Sequence, residues 1–228
     1  MRKYFRGFSF ILLLLFQFVE MKAQVLVHEE PRHRPVFQGQ GVRILNVVLP
    51  PGDTTQYHIH QTPSVFIFLS NTESGSQLQG EKAITGKNIA GRVLYEDLSP
   101  PHVRTHKVWN MDKDTMRVMD IELLSKDTGF ILAPLRLPGL ELEIENSYVR
   151  AYRGTLKTGQ EFSPGKQERP LILVSLSNIN TVVKQNGKTL SRIMHAGEFI
   201  RIRKGDSFSL ANDGNYNSQF LFIELPLP

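Results

Sequence analysis

The chain has 228 residues, with 27 Lys and Arg against 22 Asp and Glu, and no cysteine. The missing cysteines exclude disulfides, thiolate metal ligands and a cysteine nucleophile. The formal charge of +5 overstates the basicity of the bulk of the chain, because the first 23 residues hold four basic residues and one acidic residue, and without them the balance is 23 to 21. No later stretch gathers Lys and Arg densely enough for a phosphate-tracking surface, so nucleic acid is not an expected partner.

In chain order, the basic start Met1 to Arg6 leads into an apolar run from Phe8 to Val19, broken only by Ser9 and Gln17. Met21-Lys22-Ala23 then offers a small residue for cleavage before Gln24. That is the layout of a secretory signal over residues 1–23. The apolar run falls short of the ~20 residues that span a bilayer, which disfavours the competing reading of a retained anchor. The mature product is expected to be exported, to a periplasm or the outside, with no stable membrane anchor after signal removal.

The next segment, His28-Glu29-Glu30-Pro31-Arg32-His33-Arg34, reads as a charged, solvated extension. Val42 to Leu49 has the composition of a strand, and Pro50-Pro51-Gly52-Asp53 marks a turn. His58-Ile59-His60 follows. Side chains two apart on a strand share a face, so both imidazoles can converge on one metal ion while Ile59 faces away. Tyr57 should point opposite to His58 and pack. Ser64 to Ser70 reads as a strand whose Phe66 and Phe68 fill an interior, and Asn71-Thr72-Glu73-Ser74-Gly75 reads as a loop.

A later strand-like segment carries His106 in the spacing His106-x-x-x-Asn110, with Arg104 and His102 two and four residues earlier. His106 is the expected third ligand. His102 is expected at the rim, and Arg104 is either a rim cation or a partner for an anionic substrate. Asn110 should secure backbone hydrogen bonds. Met116 to Leu124 closes this half as another strand, and Ala133-Pro134-Leu135-Arg136-Leu137-Pro138-Gly139 reads as a junction.

The second half repeats the first. Val42 to Gly52 aligns with Val149 to Gly159, Leu69-Ser70-Asn71 with Leu176-Ser177-Asn178, and Ile121-Glu122-Leu123 with Ile223-Glu224-Leu225. Matches in one order through both halves indicate tandem copies of one fold. Strands are expected at Tyr148 to Leu156, Leu171 to Ser177, Glu198 to Arg203 and Gln219 to Leu225, with no 3.6-residue apolar period in either copy. The expected fold class is all-β: two tandem β-barrels of jelly-roll type, over 24–133 and 134–228. In the second copy Gly165, Gln167 and Phe208 replace His58, His60 and His106, and His195 stands alone beside a turn, so that copy should hold no metal.

Together these residues resemble the cupin superfamily in its two-domain, or bicupin, arrangement. Gly52, His58 and His60 match the family's first motif, although Ser64 or Val65 stands where that motif has a glutamate. Pro101, His106 and Asn110 match its second motif, with Val103 and Tyr95 in place of two glycines. The resemblance implies metal ligands at His58, His60 and His106 pointing into a small barrel, with Ser64, His102 and Arg104 as neighbours of substrate or ligands.

Three neutral imidazoles leave a divalent transition metal its full charge, which makes a strong Lewis acid. Such a set is similar to that of thiol dioxygenases, which favours Fe(II), with Mn, Ni and Zn also compatible. The expected activity is a metal-dependent conversion of a small molecule, dioxygenase-type before isomerase or hydrolase. The alternative is a non-enzymatic module that binds a metabolite, sugar or metal. A homodimer is compatible with either.

Overall fold

The computed structural model describes residues 24–39, 41–125, 128–185 and 188–226. The expected signal segment, 1–23, lies outside the described residues. The first half contributes β1 (Val25–Leu26), a 3-10 turn (Val27–Glu29), β2 (His33–Gly39), β3 (Val42–Leu49), β4 (His58–His60), β5 (Ser64–Phe68), β6 (Thr72–Leu78), β7 (Ile84–Asn88), β8 (Val93–Glu96), β9 (Arg104–Asn110) and β10 (Met116–Leu123). The second contributes β11 (Leu140–Glu145), β12 (Arg150–Leu156), β13 (Glu161–Lys166), β14 (Leu171–Ser175), β15 (Ile179–Gln185), β16 (Lys188–Met194), β17 (Phe199–Ile202), β18 (Ser207–Ala211) and β19 (Ser218–Glu224). No α-helix occurs among the described residues, as the lack of a helical period anticipates.

Each half is two sheets folded over one interior. In the first they run β1-β4-β9-β6-β7 and β2-β3-β10-β5-β8; in the second, β13-β18-β15-β16 and β11-β12-β19-β14-β17. Strand alternation gives β10 two different faces. Met116 and Val118 turn into the first barrel with Val47 and Leu49, whereas Met119, Ile121 and Leu123 turn outward. These outward residues join Ile44 and Val65 in a single buried cluster with Ala151, Ile172, Val174, Leu221 and Ile223 of the second half. The two barrels therefore share a buried seam, and β10 and its counterpart β19 are buried on both faces, so the acidic Asp120, Glu122 and Glu224 are buried with them.

The duplication is repeated bond for bond. The Asn110 amide donates to the carbonyls of Leu49 and Asp114 and accepts the Asp112 N–H; the Asn212 amide donates to those of Leu156 and Tyr216 and accepts the Gly214 N–H. Arg43 pairs with Glu122 at 2.9 Å, and Arg150 faces Glu224 at 3.8 Å.

The interiors differ. In the second barrel Phe162, Phe208, Phe220 and Phe222 meet at ring-centroid distances of 5.1–6.3 Å. Aromatic burial on this scale leaves the space filled by side chains. Gly165 sits opposite Phe208 in the β13–β18 ladder as His58 sits opposite His106 in β4–β9, so the two positions correspond in register. In the first barrel the same region is open.

One expected loop is a strand. Asn71 to Gly75 has turn-forming residues, yet Thr72–Leu78 is β6, paired with β9 from Ser74↔Asn110 to Leu78↔His106. Ser74 and Ser76 face the cavity instead of solvent, and Gly75 makes room for an aromatic neighbour: a Cβ there would lie 2.0 Å from Trp109 Cε2.

Candidate metal centre

β4 and β9 pair antiparallel with His58 opposite His106 and His60 opposite Arg104. Alternation turns His58, His60 and His106 to the interior and leaves Ile59 half-buried on the other face. The Nε2 of His60 lies 3.1 Å from that of His58 and 3.1 Å from that of His106. Two nitrogens each about 2.0–2.1 Å from one ion are separated by roughly 2.9–3.4 Å at octahedral to tetrahedral angles. The observed spacing falls inside that range.

A hydrogen bond sets the tautomer of His58. His58 Nδ1 lies 2.9 Å from the Gln56 carbonyl, which can only accept, so Nδ1 carries the proton and Nε2 presents a lone pair inward. His60 Nδ1 points at Asp120, 3.7 Å away. Burial pushes His58 down to about 4 and His106 down to about 3; the repulsion of neighbouring histidines adds to both. His60 is held well below its ordinary value, again first by burial and then by His106 and His58. The imidazoles are thus neutral at neutral pH, and their Nε2 atoms crowd together without charge. A divalent cation resolves that crowding, so the donor set fits a metal.

A fourth histidine joins them. His33 was expected in a solvated extension, but it is 6% exposed and its ring lies 4.4 Å from that of His58. One ring nitrogen from each of His33, His58 and His60 lies within 4.8 Å of the others. The segment's charges are satisfied within the fold instead of by solvent. Glu30 is 2% exposed and is spent locally: Oε2 accepts from the Arg32 N–H and from His33 Nδ1, both at 2.7 Å, and Oε1 accepts the Gln56 N–H at 3.2 Å. Burial alone would raise the Glu30 carboxyl, but His33 and these backbone donors bring it below its usual value. The spacing Glu30-x-x-His33 was the available signal.

The cavity beside the histidines is about 200 Å³, lined on one side by Phe66, Phe68, Leu94, Val108, Met116 and Val118. Ser74, Ser76 and Asn88 supply a polar patch, and Glu96 and Arg104 also line the cavity. Arg104 forms an ion pair with Glu96, so its charge is compensated. Phe66 and Phe68 accordingly wall a cavity rather than fill the barrel.

Ser64 is fully buried at the position of the missing glutamate, its hydroxyl 3.4 Å from the Thr62 carbonyl. His102 is exposed ahead of β9, in a turn where its N–H bonds the Ser99 carbonyl, and it borders a separate surface hollow with Gln79 and Glu81. The structure therefore does not bring His102 to the cluster. Tyr57 packs under Lys107, whose Nζ lies 5.2 Å from the ring. His195 bonds Asn178 at 3.0 Å, far in sequence and sheet from the cluster.

No protein-family model and no curated protein matches the sequence. Solved structures do. A cupin 2 conserved barrel domain protein from Leptotrichia buccalis superposes with a TM-score of 0.52 at 11% identity, covering 84% of this chain and 87% of its own. Oxalate decarboxylase from Bacillus subtilis, described for its Mn(II) centres, gives 0.51 at 10% identity, with 82% and 69% covered. A mutant of salicylate 1,2-dioxygenase from Pseudoaminobacter salicylatoxidans gives 0.53 at 12% identity, with 81% and 70% covered. With a histidine cluster inside the first of two duplicated barrels, this chain has the fold of the cupin superfamily in a two-barrel form.

Proposed function

We propose that the first barrel is a mononuclear metal site, with His58, His60 and His106 as ligands, that acts on a small molecule in an exported compartment. The observation that carries this reading is the convergence of three imidazoles beside an open cavity, with His60 Nε2 3.1 Å from the Nε2 of both His58 and His106. A divalent ion bound there supplies Lewis acidity and, if redox-active, a place for dioxygen. An all-nitrogen, neutral donor set favours Fe(II), and dioxygenase-type oxidation is the preferred reaction class. The named decarboxylase and dioxygenase of the same fold support metal chemistry in such a barrel without fixing this substrate.

The chain's own residues set the other terms. The cavity volume restricts the substrate to a small metabolite. The wall of Phe66, Leu94 and Val118 suits an apolar body, while Ser74 and Ser76 can meet a hydroxyl or carbonyl at its far end.

A second reading, a binding module without catalysis, draws on the carboxylates. Glu96 is taken up by Arg104 and Asp120 faces the back of His60, so neither is free as a general base. Elemental analysis of protein recovered from its native compartment, followed by oxygen-uptake assays with small phenolic and carboxylic substrates, separates the two. A redox metal with substrate-dependent oxygen uptake supports the enzyme; ligand binding that survives metal removal supports the module.

A further inference from the structure

We propose that His33 is a fourth ligand of this centre, so that the bound ion fastens the amino-terminal arm, residues 24–32, to the first barrel through the Glu30–His33 bond. The inference rests on the metal-site reading above and extends it to a residue outside both motif-like stretches. Glu30 accepts from His33 Nδ1, which fixes the proton there and leaves Nε2 as a bare lone pair. Among the described residues, no protein donor is recorded for that second nitrogen, and the group lies within 4.8 Å of its neighbours' nitrogens. Two ligands on opposite sides of one ion are separated by about 4.2 Å, twice a metal–nitrogen bond. His33 is therefore within a small adjustment of the coordination sphere.

The arm's other links to the barrel are few and short: the Gln56 N–H donates to Glu30 Oε1 at 3.2 Å and the Val48 N–H to the Arg32 carbonyl at 3.3 Å. β1 is two residues long and pairs only with β4, parallel, through Val25↔His58 and Leu26↔Ile59. Val27 is its one fully buried apolar side chain between Gln24 and Pro31, and the Arg32–Asp53 ion pair is partly exposed. Exposed pairs of this kind hold little. The Glu30–His33 pair joins the arm to the first residue of β2, which the β2–β3 ladder holds through His33↔Val47, and so links the arm to the cluster. Metal loading and arm docking are then one equilibrium, since an ion bound only by the docked state shifts the population toward it.

The test uses the mature chain and Mn(II) alone as probe. Competitive Mn(II) titration is run on the wild type, His33→Ala, His33→Gln, Glu30→Gln and His58→Ala, with hydrogen exchange of the amides of residues 25–34 with and without Mn(II). The proposal expects His33→Ala and His33→Gln to weaken Mn(II) at least tenfold, Glu30→Gln to weaken it less, and the ion to slow exchange of the arm in wild type only. Wild-type affinity in both His33 variants, with exchange unmoved by Mn(II), overturns the fourth ligand and leaves the three-histidine site standing. Wild-type affinity in His58→Ala as well overturns both. His33→Gln keeps polarity and most of the volume, so a folding defect confined to His33→Ala does not decide the matter.

Discussion

Asp120 and His60 face each other inside the first barrel with 3.7 Å between carboxylate and Nδ1, and neither Asp120 oxygen nor His60 Nδ1 makes a hydrogen bond of good geometry. Asp120 is fully buried, and burial, then the Glu122 carboxylate, push it well above the usual carboxylate value against a smaller pull from Ser64. A carboxylate behind a ligand imidazole fixes the ring's orientation and increases its basicity, and losing such a partner typically costs 10–100-fold in metal affinity. Asp120→Asn is therefore expected to weaken Mn(II) or Fe(II) binding by about that factor. An unpartnered buried acid stabilises nothing in the metal-free protein, so the variant's metal-free melting temperature should equal or exceed the wild type's. Competitive titration and thermal unfolding of the two forms check both halves; an unchanged affinity with a lower metal-free melting temperature contradicts the assignment.

His58→Ala, His60→Ala and His106→Ala should each abolish stoichiometric metal retention, because His60 Nε2 lies 3.1 Å from the Nε2 of both His58 and His106. His102→Ala should retain it, since His102 sits in an exposed turn. Elemental analysis of the four purified variants gives the answer. A full complement of metal in any of the first three rejects that residue as an essential ligand.

The second barrel should lose stability where the first does not. Phe222 is 1% exposed within the four-phenylalanine cluster, and Phe222→Ala is expected to cost about 3–5 kcal/mol. Phe66 lines an existing cavity, so Phe66→Ala leaves less new void and should cost clearly less. Denaturant unfolding of both variants compares them directly.

Tyr152 offers a pH test remote from the histidines. Its hydroxyl donates to Glu224 at 2.5 Å, and burial, then that carboxylate, push it up to about 12. With a folded value above the unfolded one near 10, the unfolded chain releases this proton first as pH rises. The contribution is present below pH about 10 and is lost on rising towards about 12. Tyr152→Phe should flatten the alkaline fall in stability across that window, read from unfolding midpoints at stepped pH.

The sequence carried the architecture because duplication and strand alternation are local signals. Val42–Leu49 is a strand with the expected bounds, and the expected correspondences of Gly165 with His58 and Phe208 with His106 recur in the ladders. It carried less of the site. Thr72–Leu78 has a loop's composition although Ser74 and Ser76 face a cavity, a surface that composition cannot distinguish from solvent. His33 and Glu30 looked solvated because their mutual satisfaction is visible only once the chain folds back over β4. Asp120 lay unnoticed within the apolar stretch Val118 to Ile121, where a lone acid was the available hint.

The seam joining Ile44, Val65 and Ile121 to Ala151, Val174 and Ile223 has a consequence for any division of the chain. The phenylalanine-filled barrel is the wall against which the histidine-bearing barrel rests. Cutting the chain at the junction would expose two adhesive surfaces instead of releasing two independent proteins.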